Sequence, residues 1–166
     1  MNPPQAGFFV VKWAWRKPPG EAIRIGKKLG LEWRMAIYFW IAIGSALGGV
    51  ARFWASGVAA RLFGETFPWG TLIVNVAGSF LIGFIATVSA PDGRIFLGST
   101  ARLALMAGIL GGFTTFSSFS LQTLNLLNDG QWLPAGANII GSVVLCLLAV
   151  WAGHVLALSL NAMKWM

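Results

Sequence analysis

Residues 108–123 read GILGGFTTFSSFSLQT, from Gly108 to Thr123. Two adjacent glycines followed by two adjacent threonines make a poor unbroken helix, because Gly costs about 1 kcal/mol and β-branched Thr loses rotamer freedom. The apolar residues around this stretch nevertheless run from about Leu97 to Leu127, long enough to cross a bilayer. The stretch therefore predicts a membrane-crossing helix broken near its middle, around Gly111 to Thr115. Unwound backbone inside a bilayer persists only where protein buries it or where it lines a cavity, and its freed carbonyls commonly hold a cation.

Working outward, the same apolar length recurs three more times. Ala36 to about Leu62 reads as a first helix and Phe63 to Trp69 as a turn containing Gly64, Glu65 and Pro68. Gly70 to about Ser89 reads as a second helix, closed by Ala90, Pro91, Asp92 and Gly93. The broken third is stopped by Asn128, Asp129 and Gly130, and the fourth runs from about Leu133 to Leu160, with Lys164 and Trp165 as interfacial anchors. Composition agrees: 57% of the residues are hydrophobic and only 10% charged, which excludes an ordinary soluble domain. The fold class is all-α, a polytopic membrane protein of four transmembrane helices.

The formal charge of +7 is concentrated at one end, since Lys12, Arg16, Lys17, Arg24, Lys27, Lys28 and Arg34 all precede the first apolar run. A basic tail of this kind suits anionic headgroups rather than nucleic acid, which wants basic residues arranged on a folded surface. Residues 1–34 read as a disordered or interfacial extension to a membrane domain over 35–166. Translation beginning at Met35 is the alternative. Four spans put both termini on one side, and the tail argues that this side is the cytoplasm. Without the tail the remaining bias is small, which suits insertion in both orientations.

The acids are informative by position: Glu21, Glu32, Glu65, Asp92 and Asp129 all fall in the tail or the connections. A proton-coupled exporter of the small multidrug type needs a membrane-embedded carboxylate and finds none. An intramembrane hydrolase pairing a serine with His154 lacks an embedded acid to orient the ring, so no enzyme is expected. Cys146 is the single cysteine, which rules out an intrachain disulfide.

What the spans retain is neutral: Thr71, Asn75 and Ser79 on the second helix, and Asn138, Ser142 and Cys146 on the fourth, each at helical spacing on one face. Ser79 and Asn138 read as interhelical packing glue. Asn75 reads as functional, because a neutral amide donor binds an anion weakly enough to release it. Phe116 and Phe119 share a face. Their ring edges carry partial positive charge, so they suit an anion edge-on, although two Phe at this spacing also make ordinary core packing. Gly44, Gly48, Arg52 and Ser56 repeat every four residues, a stripe that lets helices approach closely. Arg52 falls near the far interface, as a vestibule charge or an anchor.

Three strings together, GSALGGVAR (Gly44 to Arg52), PWGTLIVNVAGSFLIG (Pro68 to Gly83) and GGFTTFSSFS (Gly111 to Ser120), resemble the Fluc (CrcB-type) fluoride channel family from about Met35 to the end. The resemblance implies passive fluoride export in the cell's inner membrane by an antiparallel, dual-topology homodimer with two pores and a structural sodium ion at its centre. It implies a pore of Asn75, Phe116, Phe119 and Ser142 with a polar track of Thr71 and Ser118. Arg52 then stands in the vestibule, and the carbonyls of Gly111 and Thr114 at the sodium. Gln122 and Cys146 depart from residues common among relatives, and the basic tail departs from unbiased insertion. A non-conducting assembly subunit is the competing reading.

Overall fold

A computed structural model describes residues 26–91 and 93–163. Its elements are all helical: α1 (Gly26–Phe63), α2 (Trp69–Val88), a third span of several pieces, and α6 (Trp132–Ala162). The third span comprises α3 (Ser99–Leu103), a π-helical stretch (Ala104–Leu110), α4 (Gly111–Phe113) and α5 (Phe116–Asn128). Among the described residues, four helices are long and apolar enough to cross a membrane: Met35–Phe63, Trp69–Val88, Ser99–Asn128 and Trp132–Ala162.

Compactness divides the chain into Met1–Ala36 and Ile37–Met166. In the first unit, α1 begins at Gly26, so residues 26–34 of the extension, expected to be disordered or interfacial, are helical. Their sequence, GKKLGLEWR, has neither proline nor a β-branched residue to oppose a helix. Residues 1–25, with most of the basic tail, lie outside the described residues, as do the anchors Lys164 and Trp165.

In the second unit, the predicted small-residue stripe does bring backbones together. A Cβ on Gly44 would stand 2.8 Å from the Ala104 carbonyl oxygen, and one on Gly108 would stand 3.2 Å from Gly44 Cα. The helices α2 and α6 pair extensively. Gly83 and Gly153 make it possible, since a Cβ on either would run into the partner helix's backbone, at Val150 and Phe80 respectively. The unit's interior is thin. Val74 and Asn138 are its largest fully buried side chains, while large apolar residues such as Phe53 and Ile140 face outward, as lipid-exposed helices require.

The break differs from expectation in its cause. Gly111 is helical (φ −64°, ψ −35°), whereas Thr114 (φ −87°, ψ 156°) and Thr115 (φ −153°, ψ 119°) are extended. The threonines open the helix. Gly112 serves packing instead, since a Cβ there would strike the backbone of Ser45, whereas one on Gly111 would make only ordinary contact.

Candidate functional site, an uncharged cavity at the helix break

Two extended residues in mid-span expose backbone groups that must find partners or be left bare. The Thr115 N–H donates to Asn75 Oδ1 at 2.7 Å, and Asn75 Nδ2 donates to the Thr115 carbonyl at 2.9 Å. The amide of Asn75 thus pairs with the Thr115 peptide as one strand residue pairs with another, across 40 positions of sequence. Thr115 also caps α5, its Oγ1 accepting from the Ser118 N–H at 3.2 Å, with Ser117 and Ser118 hydroxyls completing a cluster.

These two side chains divert two specific N–H groups. In an unbroken α-helix the Thr115 N–H would serve the Gly111 carbonyl and the Ser118 N–H would serve the Thr114 carbonyl. Both carbonyls lose those donors, one to Asn75 and the other to the Thr115 hydroxyl. Gly111 and Thr114 are the residues named from sequence for a cation, and each presents an oxygen released from the helix ladder. Thr114 is itself seated by its methyl against Gly78, where a Cβ would overlap it, and its hydroxyl returns to the Leu110 carbonyl at 3.0 Å.

Around the break lies a cavity of about 480 Å3. Of the residues predicted from sequence, Asn75, Phe116, Phe119, Ser142, Gly111 and Thr114 all line it, as do Ser79 and Cys146. Thr71, Ser118 and Arg52 do not. Thr71 is buried one turn before Asn75, Ser118 belongs to the cap behind Thr115, and Arg52 lies on α1. The two phenyl rings are 5.1 Å apart at 47°, but their environments differ: Phe119 is 8% exposed, and Phe116 is 75% exposed in the isolated subunit.

No lining residue carries a charge, so the cavity offers dipoles only. Asn75 has spent one amide proton on Thr115 and keeps a second. Such a site can hold a small anion with donors and ring edges at one wall and a cation with carbonyls at another, without the deep trap of a full opposite charge.

Sequence reasoning reaches Thr115 only as the end of the break and assigns it no role at the site. The signal was present as a threonine opening a helix three residues ahead of Ser118, an N-cap position. His154 pairs with a threonine rather than a serine: its Nδ1 is 2.7 Å from Thr87 Oγ1, which is also 2.9 Å from the Gly83 carbonyl oxygen. Away from the cavity, Arg102 donates to the Ala86 and Ser89 carbonyls at the end of α2.

The family described as CrcB-like protein, Camphor Resistance (CrcB), matches residues 39–154. A protein of Opitutus terrae called fluoride-specific ion channel FluC is 63% identical over 130 residues, covering 78% of this chain and 98% of that one. Proteins with the same description from Methylocella silvestris and Paramagnetospirillum magneticum are 60% and 58% identical over 127 residues each. Each alignment covers 76% of this chain, and 97% and 99% of those proteins respectively.

Proposed function

The chain belongs to the CrcB family, and from that premise we propose that it is a passive, fluoride-selective channel through which cytoplasmic fluoride leaves the cell, reducing its toxicity. It is a multi-pass membrane protein and a channel rather than an enzyme. The observation that carries the reading is the chemistry of the cavity: an amide, hydroxyls and two phenyl rings around a helix break, with no charged side chain. Fluoride holds its hydration shell tightly, so it needs donors close at hand. It must also leave, so the donors must be neutral. The second proton of Asn75, the hydroxyl of Ser142 and the edges of Phe116 and Phe119 supply such contacts. Thr71 and Ser118 extend the polar track, and Arg52 attracts anions at the vestibule.

Two of these chains form the conducting unit, an antiparallel homodimer in the inner membrane with a pore on each side. The exposure of Phe116 supports this reading, because a pore ring left outside its own subunit needs a second surface to enclose the path. Sodium sits at the two-fold axis on the carbonyls of Gly111 and Thr114, and the loss of their helical donors favours that role. Its charge also raises anion occupancy nearby. Residues 35–166 form the channel domain, and residues 1–34 a basic extension that biases orientation.

The test is ion-specific efflux from liposomes holding the purified protein. Fluoride should leave rapidly and chloride slowly, and Phe116→Ile or Asn75→Ala should sharply reduce the fluoride rate. Comparable chloride efflux, or full activity in both variants, sinks the proposal.

A further inference from the structure

One polar group in the spans has no place in the cavity and yet is among the most buried side chains of the subunit: Asn138, 1% exposed on α6. Its hydrogen bonds run in one direction. The Thr123 hydroxyl donates to the Phe119 carbonyl at 2.8 Å, which spends its only proton. Its oxygen is then left to accept, and Asn138 Nδ2 donates to it at 2.9 Å. This fixes which end of the amide faces Thr123. The other end, Oδ1, therefore faces Ser142, whose hydroxyl donates to it at 3.4 Å.

The chain of bonds begins on the backbone of Phe119 and ends on Ser142. Both of those residues line the cavity, while Thr123 and Asn138 stand behind them. Among the described residues, the bond from Asn138 to Thr123 is the only side-chain hydrogen bond joining α5 to α6. It therefore ties the helix that carries the phenyl rings to the helix that carries the hydroxyl.

We infer that Asn138 is a positioning residue for conduction, holding Ser142 as a two-state rotor. In one state the Ser142 proton rests on Asn138 Oδ1 and the oxygen turns its lone pairs to the cavity. In the other the proton turns to an anion in the cavity. A separation of 3.4 Å is long for an O–H···O bond, so the resting state is weakly held and the exchange costs little. An acceptor always at hand keeps Ser142 from binding the anion too firmly, and an amide fixed by Thr123 keeps that acceptor in place. The inference rests on the channel reading above.

The experiment measures fluoride efflux from liposomes for Asn138→Ala, Thr123→Val and Thr123→Ser, with Asn138→Ala also made in a Ser142→Ala background. Asn138→Ala and Thr123→Val should each slow efflux by about fivefold or more, the scale of one hydrogen bond's net contribution. Thr123→Ser keeps the hydroxyl and should restore the rate to within about twofold of the parent, a rescue that simple side-chain loss in the core cannot produce. In the Ser142→Ala background, Asn138→Ala should change the rate by less than about twofold, because the group it acts through is gone. Equal slowing in both backgrounds, or Thr123→Val matching Thr123→Ser, would overturn the positioning role while leaving the channel reading intact. A parent protein that moves no fluoride overturns both.

Discussion

Replacing Asn75 by leucine keeps the side chain's branched shape and removes both bonds to the Thr115 peptide, the donation at 2.9 Å and the acceptance at 2.7 Å. Thr115 is only 9% exposed and lines the cavity, so the only water its backbone groups can gain is that of the cavity. Leaving a buried donor or acceptor unpaired costs about 1–3 kcal/mol per group. Two such groups set an upper range of roughly 2–6 kcal/mol, reduced wherever the Thr115 N–H turns back to the Gly111 carbonyl and re-forms a helical bond. A net local loss of about 2–3 kcal/mol follows, and with tenfold in a population for every 1.4 kcal/mol this is roughly a 25- to 150-fold rise in opening of the break. Hydrogen exchange followed by mass spectrometry over a peptide covering 113–118 reads that opening directly in the detergent-solubilised protein. Faster exchange confined to this peptide is the expected result. Unchanged exchange there, together with abolished fluoride efflux, would refute the clamp and leave Asn75 as an anion ligand alone.

Other perturbations separate packing from conduction. Phe119→Ile should lower stability by about 1–2 kcal/mol because the ring is buried, whereas Phe116→Ile should leave the subunit's stability nearly unchanged and still reduce efflux; thermal melts run beside the flux assay check both. Gly153→Val places a branched side chain against the Phe80 backbone and should prevent the α2–α6 pairing, seen as loss of the monodisperse species on gel filtration. Arg102→Ala removes the cation from the carbonyl end of α2 and should cost roughly 1 kcal/mol in denaturant stability while fluoride efflux persists. Substituting N-methylglucamine for sodium throughout purification should lower efflux and weaken the dimer. A channel indifferent to this exchange would remove the case for a structural cation.

Sequence was a good guide wherever a signal was local. Span positions followed from apolar length because the bilayer sets that length, and the bounds differ from the observed helices mainly at α1, whose start at Gly26 falls in a charged stretch with no apolar signal. The break was legible to within a few residues, but not its cause: the same glycines that weaken a helix also admit a neighbouring backbone, and only packing against Ser45 decides between the two uses of Gly112. The pairing of Asn75 with Thr115 was not legible, since two residues 40 apart meet only once the helices have a register. Nor was the contrast between Phe116 and Phe119, because a shared helical face does not say which ring points inward. Asn138 read as packing glue for the same reason: its donor and acceptor ends are assigned by what Thr123 does with its own proton.

Cutting one helix at Thr114 and Thr115 also has an electrostatic result that no single side chain supplies. The piece before the cut ends in bare carbonyls, and the 13-residue piece after it begins with N–H groups in its first turn. Aligned peptide dipoles place roughly half a negative charge at the first of these ends and half a positive charge at the second. The two lie only a couple of residues apart, so from a distance they cancel, and the span stays formally neutral for the lipid around it. Within a few ångströms they do not cancel. An ion of either sign arriving at the break meets an end of the matching polarity that cost the membrane no ionised residue.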